Sequence, residues 1–94
     1  MDGDEICALK KDLRAQGFNL YVYSHTAGSR VPEHRHNYHV LHVVLFGKLC
    51  LHIDGKDVVL GPGDRYNIPP ASPHSADVVG DDTVICMDAT KFEH

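Results

Sequence analysis

The chain predicts a mainly β fold, an antiparallel sandwich or barrel preceded by one short helix. Three observations carry this reading. From Phe18 onward the apolar residues fall into short runs with the spacing of strands, and the runs are separated by turn-forming pairs such as Gly47-Lys48 and Asp54-Gly55 and by the GPGD break at 61–64. The 94 residues leave no room for strand–helix–strand crossovers, which excludes a parallel sheet.

Residues 2–16 are expected to form the helix, because Ile6, Leu9 and Leu13 share one face while Lys10, Lys11 and Arg14 occupy the later turns, where positive charge complements the helix dipole. Gly17 then supplies a stop. Seven strands follow: FNLYVYS, VLHVVLF, LCLHI, DVVL, RYNI, SADVV and TVICMDA. Gly47-Lys48 and Asp54-Gly55 read as connections between antiparallel neighbours, and Asp-Gly is a strong signal for a two-residue hairpin turn. In LCLHI the alternation sets Leu49, Leu51 and Ile53 on a packed face, with Cys50 and His52 on the other. No linker interrupts the chain, so a helical segment at 1–17 and a β segment at 18–90 form a single domain.

Composition narrows the function. A hydrophobic content of 43% with 23% charged residues is that of a globular protein, and no apolar run approaches the roughly 20 residues of a membrane span. The acidic start, MDGDEICALKKDL, lacks a secretory leader pattern, so the expected location is cytoplasmic. Cys7, Cys50 and Cys86, odd in number and without CxxC spacing, are expected to be buried free thiols in a reducing compartment. A net charge of -4 with no Lys/Arg cluster disfavours nucleic acid as a partner.

The eight histidines are the chemical signal. His34 and His36 stand one residue apart, and on an extended strand such a pair points to one side about 7 Å apart, near enough to converge on one ion. His74, in IPPASPH, is the candidate third ligand.

Two segments resemble the paired motifs of the cupin superfamily. The first family motif is a glycine, five residues, His-x-His, three or four residues, a glutamate, six residues and a glycine. Here it reads Gly28, SRVPE, His34, Arg35, His36, NYH, Val40, LHVVLF, Gly47. The second is a glycine, five residues, Pro-x-Gly, two residues, a histidine, three residues and an asparagine; here it reads Gly63, DRYNI, Pro69, Pro70, Ala71, SP, His74, SAD, Val78. Ala71 and Val78 depart from it, and Val40 stands where the family's glutamate ligand belongs.

The resemblance implies an antiparallel jelly-roll β-barrel holding one divalent metal on His34, His36 and His74. Without the carboxylate the ion keeps its full positive charge, which disfavours hard Mg²⁺; imidazole-rich sites suit Zn, Ni, Cu or Fe(II). Three protein ligands leave a position open to water or to an anionic small molecule such as a carboxylate or enolate. His42 has the parity of Val40. It is expected to face the same interior, either replacing the missing ligand or lining the pocket as a proton-transfer group. His39 has the opposite parity unless a bulge intervenes. Tyr38 and Tyr66 are candidate proton or hydrogen-bond donors beside the ion, and Tyr38 joins His42 as a catalytic candidate. His25, His52 and His94 read as solvated or structural, and Cys50 and Cys86 as small packed hydrophobes.

Resemblance to three-histidine cupins implies a metal-dependent dioxygenase using Fe(II) and O₂, or a metal-assisted hydrolytic or isomerase reaction. The alternative is a ligand-binding or sensing module without turnover, since the fold hosts both. Exposed sheet edges and an apolar helix face also predict a homodimer.

Overall fold

The computed structural model describes residues 1–91. Helix α1 spans Gly3–Ala15, and eight strands follow: β1 Asn19–His25, β2 Arg30–His34, β3 Val40–Phe46, β4 Lys48–Ile53, β5 Lys56–Leu60, β6 Arg65–Ile68, β7 His74–Val79 and β8 Val84–Thr90. They form two antiparallel four-stranded sheets, β1-β8-β3-β6 and β2-β7-β4-β5. The sheets face one another as a jelly-roll sandwich and are not closed into a continuous barrel.

The helix begins where Asp2 can cap it. The Asp2 carboxylate accepts the Glu5 N–H at 2.8 Å and the Glu5 carboxylate accepts the Asp2 N–H at 3.4 Å, a reciprocal capping box. It ends at Gly17, whose φ of +93° and bond to the Arg14 carbonyl turn the chain away. Leu9 and Leu13 pack beneath it against Val43, Leu45, Met87 and Ala89 of the first sheet, with Ile6 partly buried beside them. The apolar face of the helix is thus used within the chain, and the homodimer loses that part of its rationale. Among the described residues no helix is long and apolar enough to cross a membrane.

This packing explains β3. Val40, His42 and Val44 face the space between the sheets, while Val43 and Leu45 face the helix. A strand covered on both sides has no solvent face, so VLHVVLF reads as a run instead of an alternation. In β4, Leu49, Leu51 and Ile53 are buried between the sheets and Cys50 and His52 point outward, as the alternation predicts.

Two expectations about strand number and connection fail. Strand β2, RVPEH, brings the number of strands from seven to eight; Val31 is its one strongly apolar residue beside Pro32, a residue tolerated there because β2 is an edge strand. Gly47 does not join antiparallel neighbours. It carries the chain from the first sheet into the second, at φ +79°, and a Cβ there would lie 2.7 Å from the Thr83 carbonyl oxygen, so only glycine fits. Asp54-Gly55 is the hairpin expected, with φ of 53° and 72° and Ile53 paired to Lys56.

The cysteines divide by depth. Cys86 is buried in the inter-sheet core, where burial and then the Asp88 charge push its thiol up to about 12. Cys7 is exposed and Cys50 half-buried on the outer face of β4, so neither is the buried thiol expected.

Candidate metal centre and adjoining cavity

His34 closes β2 and His74 opens β7, and the two are direct cross-strand partners with ring centroids 4.2 Å apart. A register irregularity in β2 between Val31 and His34 lies just before this pair. His36, two residues beyond β2, lies 4.9 Å from the His34 ring and 5.3 Å from that of His74. One ring nitrogen from each of the three falls within 4.8 Å of the other two. The sequence therefore names a set that the fold assembles.

Backbone geometry holds this arrangement. The loop before β7 is tied to the HxH segment by a hydrogen bond from the Ala71 N–H to the His36 carbonyl at 2.6 Å. Ala71 sits at φ +62°, a left-handed conformation that glycine adopts freely, which explains why the resembling motif has glycine at that position. His34 Nδ1 lies 2.8 Å from the Pro32 carbonyl and His74 Nδ1 2.9 Å from that of Ser72. A carbonyl only accepts, so Nδ1 carries the proton in both rings and Nε2 keeps its lone pair. Burial, with the like charges of His34 and His36, lowers the His74 pKa against the opposing bond to Ser72, which favours the neutral ring that a metal requires. His36 is half-buried and stacks on Tyr38 at 5.3 Å and 27°. Tyr38 thus touches a site residue without lining the cavity.

Behind the triad lies a cavity of about 160 Å³ between the sheets, with walls of Val31, Val40, Leu49, Leu51, Ile68 and Ala76. Val40 is part of this apolar wall where a carboxylate would otherwise stand. His42 lines the cavity as its parity predicts, 5% exposed, but is not in the triad's cluster of ligand atoms. Its Nδ1 is held by Asp88 at 2.8 Å, with the Tyr23 hydroxyl 3.2 Å away, and Tyr23 donates to the same Asp88 oxygen at 3.0 Å. Asp88 as acceptor fixes the Nδ1–H tautomer. Nε2 of His42 is buried with no hydrogen-bond partner among the described residues. Burial, then the Asp88 charge, raises the Tyr23 pKa well above its usual value, so the phenol stays a neutral donor.

Sequence reasoning missed Tyr23 and Asp88, which pair across 65 positions and belong to no local motif. The single available signal was parity: both fall on inward positions of their strands. His25, half-buried, packs edge-to-face on Tyr23 and also lines the cavity. His39 is half-buried outside the ligand cluster, and Tyr66 packs against the inter-sheet core. His94 lies outside the described residues.

A second group stands on the outer face of the second sheet, where Cys50, His52 and Asp57 bring donor atoms within 4.8 Å of one another. His52 Nδ1 is 2.6 Å from Asp57 and its Nε2 2.7 Å from Asp77, which Arg30 in turn holds at 2.9 Å. The bond to Asp57, followed by that to Asp77, raises the His52 pKa; the bond from His52 is the main cause that lowers the Asp77 pKa. Cys50 is half-buried beside them, and burial first, then the Asp57 and Asp77 charges, raises its thiol pKa and keeps it protonated.

A family model described as a cupin domain matches residues 22–90. No curated protein sequence matches the chain. Among solved structures, the DMSP lyase DddQ from Ruegeria pomeroyi DSS-3 is similar with a TM-score of 0.74 and 25% identity over 81% of this chain and 39% of the lyase. A predicted oxalate decarboxylase from Thermotoga maritima gives a TM-score of 0.73 at 21% identity over 88% of this chain and 74% of that one. The polyketide cyclase RemF from Streptomyces resistomycificus gives 0.69 at 24% identity, over 78% and 53%. The chain thus spans about two fifths of the lyase and about half of the cyclase. With the family model spanning both sheets and the three histidines at one end of the sandwich, the chain belongs to the cupin domain family.

Proposed function

We propose that this cupin holds one divalent transition metal on His34, His36 and His74 and transfers a proton on a small anionic substrate bound in the adjoining cavity, with His42 as the acid–base group. One observation carries the metal reading: three imidazole nitrogens lie within 4.8 Å of one another, and hydrogen bonds to Pro32 and Ser72 leave Nε2 free on two of them. The donor set fits Zn, Ni, Fe(II) or Cu better than Mg. When bound, the metal supplies a Lewis acid with an open position for a carboxylate, enolate or carbonyl oxygen.

The chain's own residues do the rest. The cavity, about 160 Å³, is smaller than the roughly 300–1,000 Å³ of drug-sized ligand pockets, so the substrate is small. Apolar walls would take a short hydrocarbon body and exclude water from it. Asp88 stabilises the imidazolium that forms when His42 accepts a proton at Nε2, and Tyr23 keeps that carboxylate in place. This pairing suits a lyase or isomerase reaction, whose central step is a proton transfer. The dioxygenase remains the second enzymatic reading, supported by the three-histidine set, and the non-catalytic sensing module is the alternative to both.

Metal analysis of purified protein is expected to give one equivalent at this centre, lost in His34→Ala and His74→Ala and kept in His42→Ala. Solvent deuterium entering short 2-oxo acids, dependent on His42, supports proton transfer; O₂ uptake with Fe(II) independent of His42 supports the dioxygenase. Ligand binding with neither outcome would leave the sensing module. A cytoplasmic homodimer completes the proposed reading, supported by Tyr21 and Val22 of edge strand β1, 54% and 49% exposed. Sedimentation showing only a monomer removes the dimer.

A further inference from the structure

We infer a second metal site on the outer face of the second sheet, in which Cys50, His52 and Asp57 ligate a borderline-soft divalent cation such as Zn²⁺. It is independent of the histidine triad, which lies at the opening of the cavity between the sheets.

Strand register builds this site. Cys50 and His52 are two residues apart on β4 and share its outer face. His52 is the direct cross-strand partner of Asp57 on β5, Cys50 that of Asp77 on β7, and Asp77 that of Arg30 on β2. Thiol, imidazole and carboxylate from two strands are therefore brought together by pairing alone.

The second sphere is already in place. Metal-binding histidines characteristically donate their other ring N–H to a carboxylate that is itself held. Here Nε2 lies 2.7 Å from Asp77, and Arg30 grips Asp77 at 2.9 Å, so an ion on Nδ1 would find the ring oriented. Nδ1 and the Asp57 oxygen are now 2.6 Å apart, and tetrahedral zinc with bonds near 2.0–2.2 Å would part them to about 3.3 Å. Asp57, with a side chain 76% exposed, is free to make that small swing. On binding, the Cys50 thiol proton and the proton shared between Nδ1 and Asp57 leave to solvent. A shallow surface groove lined by His52 and Asp57 leaves room for water as fourth ligand. The row from Arg30 to Asp57 is complete as ion pairs without Cys50; the thiol beside it is what selects a metal over a purely electrostatic role.

Cobalt separates this site from the triad, because only this one contributes sulfur. Full-length protein stripped with a chelator and titrated with Co²⁺ is expected to develop a thiolate-to-cobalt charge-transfer band that is displaced by Zn²⁺ and that saturates at one equivalent once the triad is removed. The band should vanish in Cys50→Ser and persist in the His34→Ala/His74→Ala double variant. Asp77→Asn should keep the band with affinity lowered about 10- to 100-fold. Asp57→Asn, at the most exposed ligand, should weaken binding at least tenfold with the circular dichroism unchanged, and serves as the test should Cys50→Ser fail to fold. Absence of the band in the unaltered protein, its survival in Cys50→Ser, its loss with the triad, or unchanged affinity in Asp57→Asn each overturns the site.

Discussion

The outer faces of the two sheets are chemical opposites. The first presents Val43, Leu45, Met87 and Ala89 and is covered by the helix; the second presents a polar row, Arg30, Asp77, His52 and Asp57, that crosses all four of its strands uncovered. The roles of two histidines follow from this difference. His42 lies on a strand covered on both sides, has one nitrogen committed to Asp88 and the other without a partner among the described residues, and lines the cavity. His52 lies on a strand with one solvent face and spends both nitrogens on carboxylates. A histidine–aspartate pair is thus an acid–base device where one nitrogen faces a closed cavity, and part of a charged surface row, open to an exchange of partner for a metal ion, where both nitrogens meet carboxylates at solvent.

The largest effect should come from reversing the chemistry of one face. Val43→Asp, at a fully buried position beneath the helix, puts an unpaired charge into apolar surroundings and is expected to cost more than about 4 kcal/mol, unfolding the domain in thermal or urea denaturation. Val59→Asp, 58% exposed on the second sheet, should stay within about 0.5 kcal/mol. Equal costs would mean that the second face is covered in solution.

Next in size is the histidine contrast. His42→Ala is expected to lower turnover by about 10²- to 10⁴-fold while leaving metal content and the position of the pH optimum for metal binding unchanged; His52→Gln should leave turnover within twofold. Comparable losses in both variants would erase the distinction between them.

A smaller gain is expected at the loop that presents His74. Ala71→Gly relieves a left-handed residue and offsets this in part by greater freedom of the unfolded chain, for a net stabilisation of about 0.5–1 kcal/mol in urea denaturation. No gain would mean that the conformation carries no strain.

The smallest lies at the helix cap. The hydrogen bond to Glu5 lowers the Asp2 pKa below its usual 3.8, with contributions from Asp4 and the N-terminal charge. A depressed folded pKa means that the stabilisation is present above the unfolded value and is lost as pH falls through the folded one. Asp2→Ala should therefore lower Tm slightly at pH 6, and the difference should close as pH falls below the usual carboxylate range.

Much of this was legible in the sequence, for reasons that differ by element. The helix and β4 show their buried faces as spacing, and Asp54-Gly55 declares its turn by the backbone angles it requires. The triad was legible because His34 and His36 are local and the second segment carries His74. Strand β2 was not, because an edge strand with Pro32 at its centre has little apolar pattern to show. The change of sheet at Gly47 was hidden for another reason: a short connection after a strand looks the same whether the next strand pairs beside it or crosses over. Tyr23, His42 and Asp88 come from three separate strands, and only register unites them.

Strand β2 is a border strand, joined along one side to β7 alone, and it ends in a ligand of the proposed metal centre. An ion shared by His34 and His74 would rivet that border to its neighbour. Its removal would free a short ribbon of unpaired amides for other chains to recruit, so metal-depleted stocks should cloud on storage before they lose their circular dichroism.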